Sequence, residues 1–278
     1  MKKMVIKVLS GILMVNLLEV YSGSPVPIHA ETVQKETVQT ALELNDLSDY
    51  DASLQEELQW QEESLEESEE WKSAAYLLDE QNYSWVGEAE VLLEKYFSEK
   101  YDIDISEKTD ALEVFASPAI PEVLAGFSDG TGKVYINERD LEKSADKLLH
   151  YTLHEMVHAL GVDFYKDKSG MLSNAFYEGV AEALTKDILK TYDYDSENAV
   201  SAYDIFVSYA EKILKGDENY LTDLLSESEH GIASRIDEKA GSDTGKNFLE
   251  ALTLLASGEE DEKITENCDT ILQAYLQS

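Results

Sequence analysis

Residues 154 to 158 read His-Glu-Met-Val-His, and two further acids, Glu178 and Glu182, follow the second histidine by twenty and twenty-four positions. Residues four apart in a helix stand one above the other on a single face, so the imidazoles of His154 and His158 can reach one cation while Glu155 lies beside it. Two imidazoles and a carboxylate suit Zn2+. A catalytic zinc commonly keeps three protein ligands and leaves one position to water, whose pKa it lowers to about 7. A glutamate next to that water is a general base, and Glu155 is the residue placed for that role. The bland alternative is a pair of histidines satisfied inside a helical core.

These groups must be carried by helices. Around the motif, Leu141, Ala145, Leu148, Leu149, Thr152, Leu153, Met156 and Leu160 recur at three- and four-residue steps, which is the apolar stripe of a helix. Asn137 can cap its start and Gly161 can end it. The run Tyr177-Glu178-Gly179-Val180-Ala181-Glu182-Ala183-Leu184 reads as a second, amphipathic helix opened by Ser173 or Asn174. Glu178 and Glu182 share one face of it, so one can touch the metal while the other accepts the free ring N–H of a ligand histidine, fixing its tautomer and raising its basicity. The alternative for Glu182 is a solvated acid on a very acidic protein. Gly179 is expected to let the motif helix and the glutamate helix approach closely. His150 stands one turn before His154, and it is expected to be a hydrogen-bonded helix histidine that does not touch the metal.

Gly161 continues the pattern His-x-x-Gly-x-x-His of zinc peptidases with a third histidine, but position 164 is Phe, so the third ligand must come from elsewhere. A His-Glu-x-x-His helix followed by a glutamate helix resembles the gluzincin metallopeptidases, the thermolysin-like clan. In that family a glutamate of the following helix completes the metal site, and an acid one turn further on orients the first histidine. The resemblance covers roughly residues 120 to 240 and implies an α+β, mainly helical zincin-like domain with a small β-sheet preceding the motif helix. It also implies Zn2+ held by His154, His158 and Glu178, with Glu182 orienting His154 and Glu155 as the base. Such a peptidase needs a donor for the oxyanion formed on attack at a carbonyl, commonly Tyr or His. Tyr203 resembles in position a recurrent tyrosine of compact gluzincins, and His230, between Glu229 and Gly231, is the other candidate.

Before the motif, Val123 to Phe127 and Lys133 to Ile136 are short β-forming runs joined by Ser128-Asp129-Gly130-Thr131-Gly132, and they read as a hairpin. A third strand is expected around Leu112 to Ala116. Peptidases resembling this chain carry an edge strand over the metal, to which an extended substrate adds by main-chain hydrogen bonds. An ordinary hairpin without a ligand reads the same way. Upstream, Trp85, Val86, Ala89, Leu92, Leu93, Tyr96 and Phe97 trace a helix, and a run of helices is expected from about 197 to 276.

Composition bounds the rest. Met1-Lys2-Lys3, an apolar stretch from Val8 to Leu18 and Ile28-His29-Ala30 have the plan of a secretory signal, with cleavage expected after Ala30. The apolar stretch is too short for a permanent membrane span. Residues 31 to 72 carry Glu56-Glu57, Glu62-Glu63, Glu66-Glu67 and Glu69-Glu70 with few core-sized residues, and no packed fold is expected there. Residues 73 to 278 form the expected catalytic domain. The formal net charge of −36 repels nucleic acid and anionic membrane. Cys268 is the single cysteine, which excludes an intrachain disulfide; its step with Ile264, Ile271, Leu272 and Tyr275 points to packing. The acidic run from Asp193 to Asn198 lacks the glycine and terminal acid of a calcium loop and reads as a helix-start loop. The expected function is a secreted zinc-dependent peptidase acting on a peptide or protein. A secreted, non-catalytic zinc- or peptide-binding module is the alternative, although metal binding alone gives Glu155 no task. A third reading, an acidic scaffold with a fortuitous motif, predicts no stoichiometric zinc.

Overall fold

Apolar residues that alternate in strands and recur every three to four positions in helices sort the chain into one small sheet and a set of packed helices. The computed structural model describes residues 69–79, 82–121, 124–129, 131–161, 171–194, 204–225, 231–256 and 262–277. The expected signal segment, nearly all of the acidic segment, Val123, Gly130, most of the loop from Asp193 to Asn198, Tyr203 and His230 lie outside these residues. In chain order the elements are β1 (Tyr76–Leu77), α1 (Ser84–Tyr101), α2 (Ser106–Thr109), β2 (Glu113–Ser117), β3 (Gly126–Ser128), β4 (Lys133–Asn137), a 3-10 turn (Glu138–Glu142) and α3 (Ala145–Ala159). Then come α4 (Met171–Thr191), α5 (Asp204–Gly216), α6 (Tyr220–Leu225), α7 (Ile232–Ala240), α8 (Thr244–Ala256) and α9 (Glu262–Gln277). The architecture is α+β and mainly helical. Among the described residues no helix is long and apolar enough to cross a membrane.

The sheet runs in the order β1-β2-β4-β3, with β2 and β4 parallel at its centre and β1 and β3 antiparallel on its edges. Strand alternation divides its residues cleanly. Val114, Ala116, Val134 and Ile136 enter the main core with the helices, whereas Phe115, Tyr135 and Phe127 face the other side. There the register sets Phe115 opposite Tyr135 and Tyr135 opposite Phe127, with ring centroids 5.3 and 4.6 Å apart. This aromatic row is closed by Trp71, edge-on to Phe127 at 5.4 Å. Trp71 thus packs on the sheet although it stands before the expected boundary at 73. A single indole supplies the apolar area that fastens an otherwise acidic turn to the sheet, and Ser117 Oγ donates to the Trp71 carbonyl at 2.7 Å.

Two expected helix starts shift. Asn137 does not cap α3. Its side chain accepts from the Arg139 amide at 3.2 Å, capping the 3-10 turn, and its Nδ2 donates to the carbonyls of Pro121 and Leu124 at 3.0 and 2.8 Å. It thereby ties the loop before β3 to the end of β4, and α3 opens only at Ala145 after Ser144. Gly161 follows the last turn of α3 with φ of 122°, the left-handed region that ends a helix at low cost for glycine alone. The start of α4 is Met171, ahead of both Ser173 and Asn174.

Helix α4 is not amphipathic where the acids sit. Every residue from Phe176 to Thr185 is buried, because α4 runs through the middle of the helices and packs on α1, α3, α5 and α8. A helix apolar on all sides with two embedded carboxylates has this central place as its natural one. Gly179 does permit a close approach, but to a different partner from the one expected. A Cβ there would lie 2.5 Å from Phe206 Cβ and 2.7 Å from the Phe206 carbonyl carbon, so the tight crossing is α4 on α5. In an open helix Gly→Ala gains about 1 kcal/mol. At this crossing Gly179→Ala is expected to lose about 1–3 kcal/mol through overpacking against backbone that cannot retreat, read as a lowered midpoint in thermal unfolding. An unchanged or raised midpoint would show that the helices separate freely.

The C-terminal helices fasten the far side. Arg235 of α7 donates to Asp217 at the end of α5 at 3.0 Å, and the Tyr275 hydroxyl of α9 donates to the same oxygen. Cys268 is buried with Ile264, Ile271, Leu272 and Tyr275, the packing stripe that its spacing indicates.

Candidate metal centre

Helices α3 and α4 pack side by side, and their facing polar residues form one cluster inside an apolar frame. The Nε2 atoms of His154 and His158 are 3.2 Å apart. Glu178 Oε2 lies 3.1 Å from His154 Nε2, and Glu178 Oε1 lies 3.5 Å from His158 Nε2. A tetrahedral zinc with bonds near 2.0–2.1 Å needs donors about 3.4 Å apart. The three donors thus form a triangle of the size such an ion spans, and among the described residues theirs is the one group of this kind. Glu178 Oε1 and Glu155 Oε2 are buried without a hydrogen-bond partner among the described residues. Buried carboxylate oxygens left in this way are costly unless a cation or donor meets them.

The surroundings favour positive charge between these groups. Burial works against the charged form of His154, yet hydrogen bonding to Glu178 and Glu182 raises its pKa well above the ordinary histidine value. Burial likewise opposes ionisation of Glu178, and His158 and His154 nevertheless hold its carboxyl below the usual range. Glu182 is 2% exposed, so it is no solvated surface acid. Its Oε2 is 3.1 Å from His154 Nδ1, and the hydrogen bonds from His150 and His154 keep it well ionised against the opposing effect of burial. In the charged form both ring nitrogens of His154 donate, Nδ1 to Glu182 and Nε2 to Glu178; were a cation to take the place of the Nε2 proton, Nδ1 donating to Glu182 would leave the Nε2 lone pair free to bind it.

Glu155 projects from the same helix next to the triangle and is 6% exposed. Burial pushes its carboxyl up to about 7, against the opposing pull of His154 and His158. A carboxyl so placed can exchange protons near neutrality. Strand β3 covers it: the Ser128 amide donates to the Glu155 carboxylate, and a Cβ on Gly126 would fall 3.2 Å from Glu155 Cγ and 2.6 Å from the Tyr135 carbonyl oxygen. The absence of a side chain at Gly126 therefore lets the β3 backbone lie directly against Glu155. The signal for it was a glycine inside a β-forming run, which marks a close backbone approach.

The structure brings together His154, Glu155, His158, Glu178 and Glu182, while the oxyanion candidates Tyr203 and His230 lie outside the described residues. Tyr177, next to Glu178, accepts the Ile232 amide at 3.1 Å and so pins α4 to the start of α7. The chain matches no protein-family profile, no curated protein and no solved structure.

Proposed function

We propose that this chain is a secreted zinc-dependent peptidase of zincin-like architecture that hydrolyses peptide bonds in peptides or proteins. The observation that carries the reading is the triangle of His154, His158 and Glu178 donor atoms, 3.1 to 3.5 Å on its edges, with the Glu155 carboxylate buried beside it. Zn2+ held by the three would supply Lewis acidity and a water acidified toward neutral pH.

The remaining work belongs to the chain's own groups. Glu155 takes the proton from the attacking water and hands it to the leaving amine, a transfer suited to a carboxyl tuned near 7. Glu182 holds His154 in the tautomer whose Nε2 is free to ligate. The edge position of β3 leaves one side of that strand without a neighbouring strand among the described residues, where an extended peptide can add beside the base through main-chain hydrogen bonds. The test is digestion of an unbiased peptide library by the purified protein, with and without a chelator. Cleavage that the chelator stops and zinc restores is expected. A protein that holds zinc yet cleaves nothing would instead be the non-catalytic binding module.

A further inference from the structure

His150 is left over by that scheme, and its place is unusual. Histidines 150, 154 and 158 stand at successive turns of α3 and alternate with Glu182 and Glu178 of α4, so the two helices interlock as His150, Glu182, His154, Glu178, His158. His150 is 3% exposed, and its Nε2 lies 3.1 Å from Glu182 Oε2, the oxygen that also receives His154 Nδ1. One carboxylate oxygen thus joins two imidazoles. Glu182 Oε1 has no hydrogen-bond partner among the described residues, but Lys186 Nζ, one turn along α4, stands 4.0 Å from it.

We infer that His150 is a positioning residue for the metal centre: its Nε2–H holds Glu182 toward α3, against the pull of Lys186, so that Glu182 in turn fixes the ring of His154. The tautomer follows from the geometry. Nε2 faces an acceptor, while Nδ1 is buried without a partner among the described residues. The proton therefore sits on Nε2, because a proton on Nδ1 would leave a buried N–H unpaired and set a lone pair against a carboxylate. Without the N–H of His150, the anchorage of Glu182 on the α3 side falls from two donors to one, and the carboxylate can turn toward Lys186. His154 then loses the partner that orients it, a kind of loss that typically costs ten- to a hundredfold in metal affinity.

This inference rests on the zinc reading, and the test separates the two. Zinc dissociation constants are measured by chelator competition for wild type, His150→Leu, His150→Gln, Glu182→Ala and the His150→Leu/Glu182→Ala double variant. His150→Leu is expected to weaken zinc about tenfold or more, and His150→Gln, which keeps an N–H, to recover most of that loss. In the Glu182→Ala background, His150→Leu should add nothing, since a residue acting through Glu182 has nothing left to act on, whereas a packing defect would add its full effect. Should His150→Leu fail to fold, the imidazole nitrogen spectrum of the zinc-loaded wild type decides: His150 protonated on Nε2 supports the inference, and protonation on Nδ1 alone overturns it. Wild-type zinc affinity in His150→Leu, or an additive double variant, also overturns it while leaving the zinc site standing. A wild-type protein that binds no zinc overturns both.

Discussion

Glu155→Gln is expected to keep zinc and fold and to lose at least a hundredfold in peptide turnover. The substitution is nearly isosteric, and Glu155 makes none of the donor contacts of the triangle, so metal content and thermal midpoint should stay near those of wild type. The amide can still accept the Ser128 amide proton, which keeps β3 on the base's side of the site. What it cannot do is take a proton from water. A loss in kcat at unchanged zinc content therefore separates base chemistry from site assembly, and the size of the loss is the transition-state stabilisation that the carboxylate supplies. Undiminished cleavage would assign the base elsewhere.

The second large effect distinguishes two glutamates one turn apart. Glu178 oxygens lie 3.1 and 3.5 Å from the Nε2 atoms of His154 and His158, whereas the nearest imidazole nitrogens to Glu182 are His154 Nδ1 and His150 Nε2. Glu178→Ala removes a proposed ligand and should abolish tight zinc binding. Glu182→Ala leaves the three proposed ligands in place and should cost about ten- to a hundredfold in affinity or activity. Both apoproteins should be compared by chelator competition, since each substitution also leaves histidines without a buried acceptor. If the order were reversed, the carboxylate that touches the metal would be Glu182.

The contrast between these two acids shows what spacing reveals and what it hides. Four-residue steps set His154 over His158 and Glu178 beneath Glu182 in any α-helix, so the cluster was legible before any fold was known. Its burial was not. A run containing Glu178, Gly179 and Glu182 looks amphipathic, and only the packing of α1, α3, α5 and α8 around α4 explains why both carboxylates sit inside. Gly179 was legible as a close approach but not as one to Phe206, because the identity of a crossing partner depends on long-range topology. The hairpin of β3 and β4 followed from its turn residues, whereas the parallel pairing of β2 with β4 is a non-local contact that no local pattern encodes. Trp71 lies in the acidic stretch for which composition predicts no packed fold. That it completes the row of Phe127, Tyr135 and Phe115 follows only from the strand register.

Whether His154, His158 and Glu178 hold one zinc is decided by zinc analysis of the folded protein after loading with excess zinc and desalting. One zinc per chain is predicted, with X-ray absorption at the zinc edge showing two imidazole nitrogens and a carboxylate oxygen in the metal's coordination, and His158→Ala should lose the metal. A folded wild-type protein that retains no zinc, or a His158→Ala variant that retains it equally well, would rule out this ligand set.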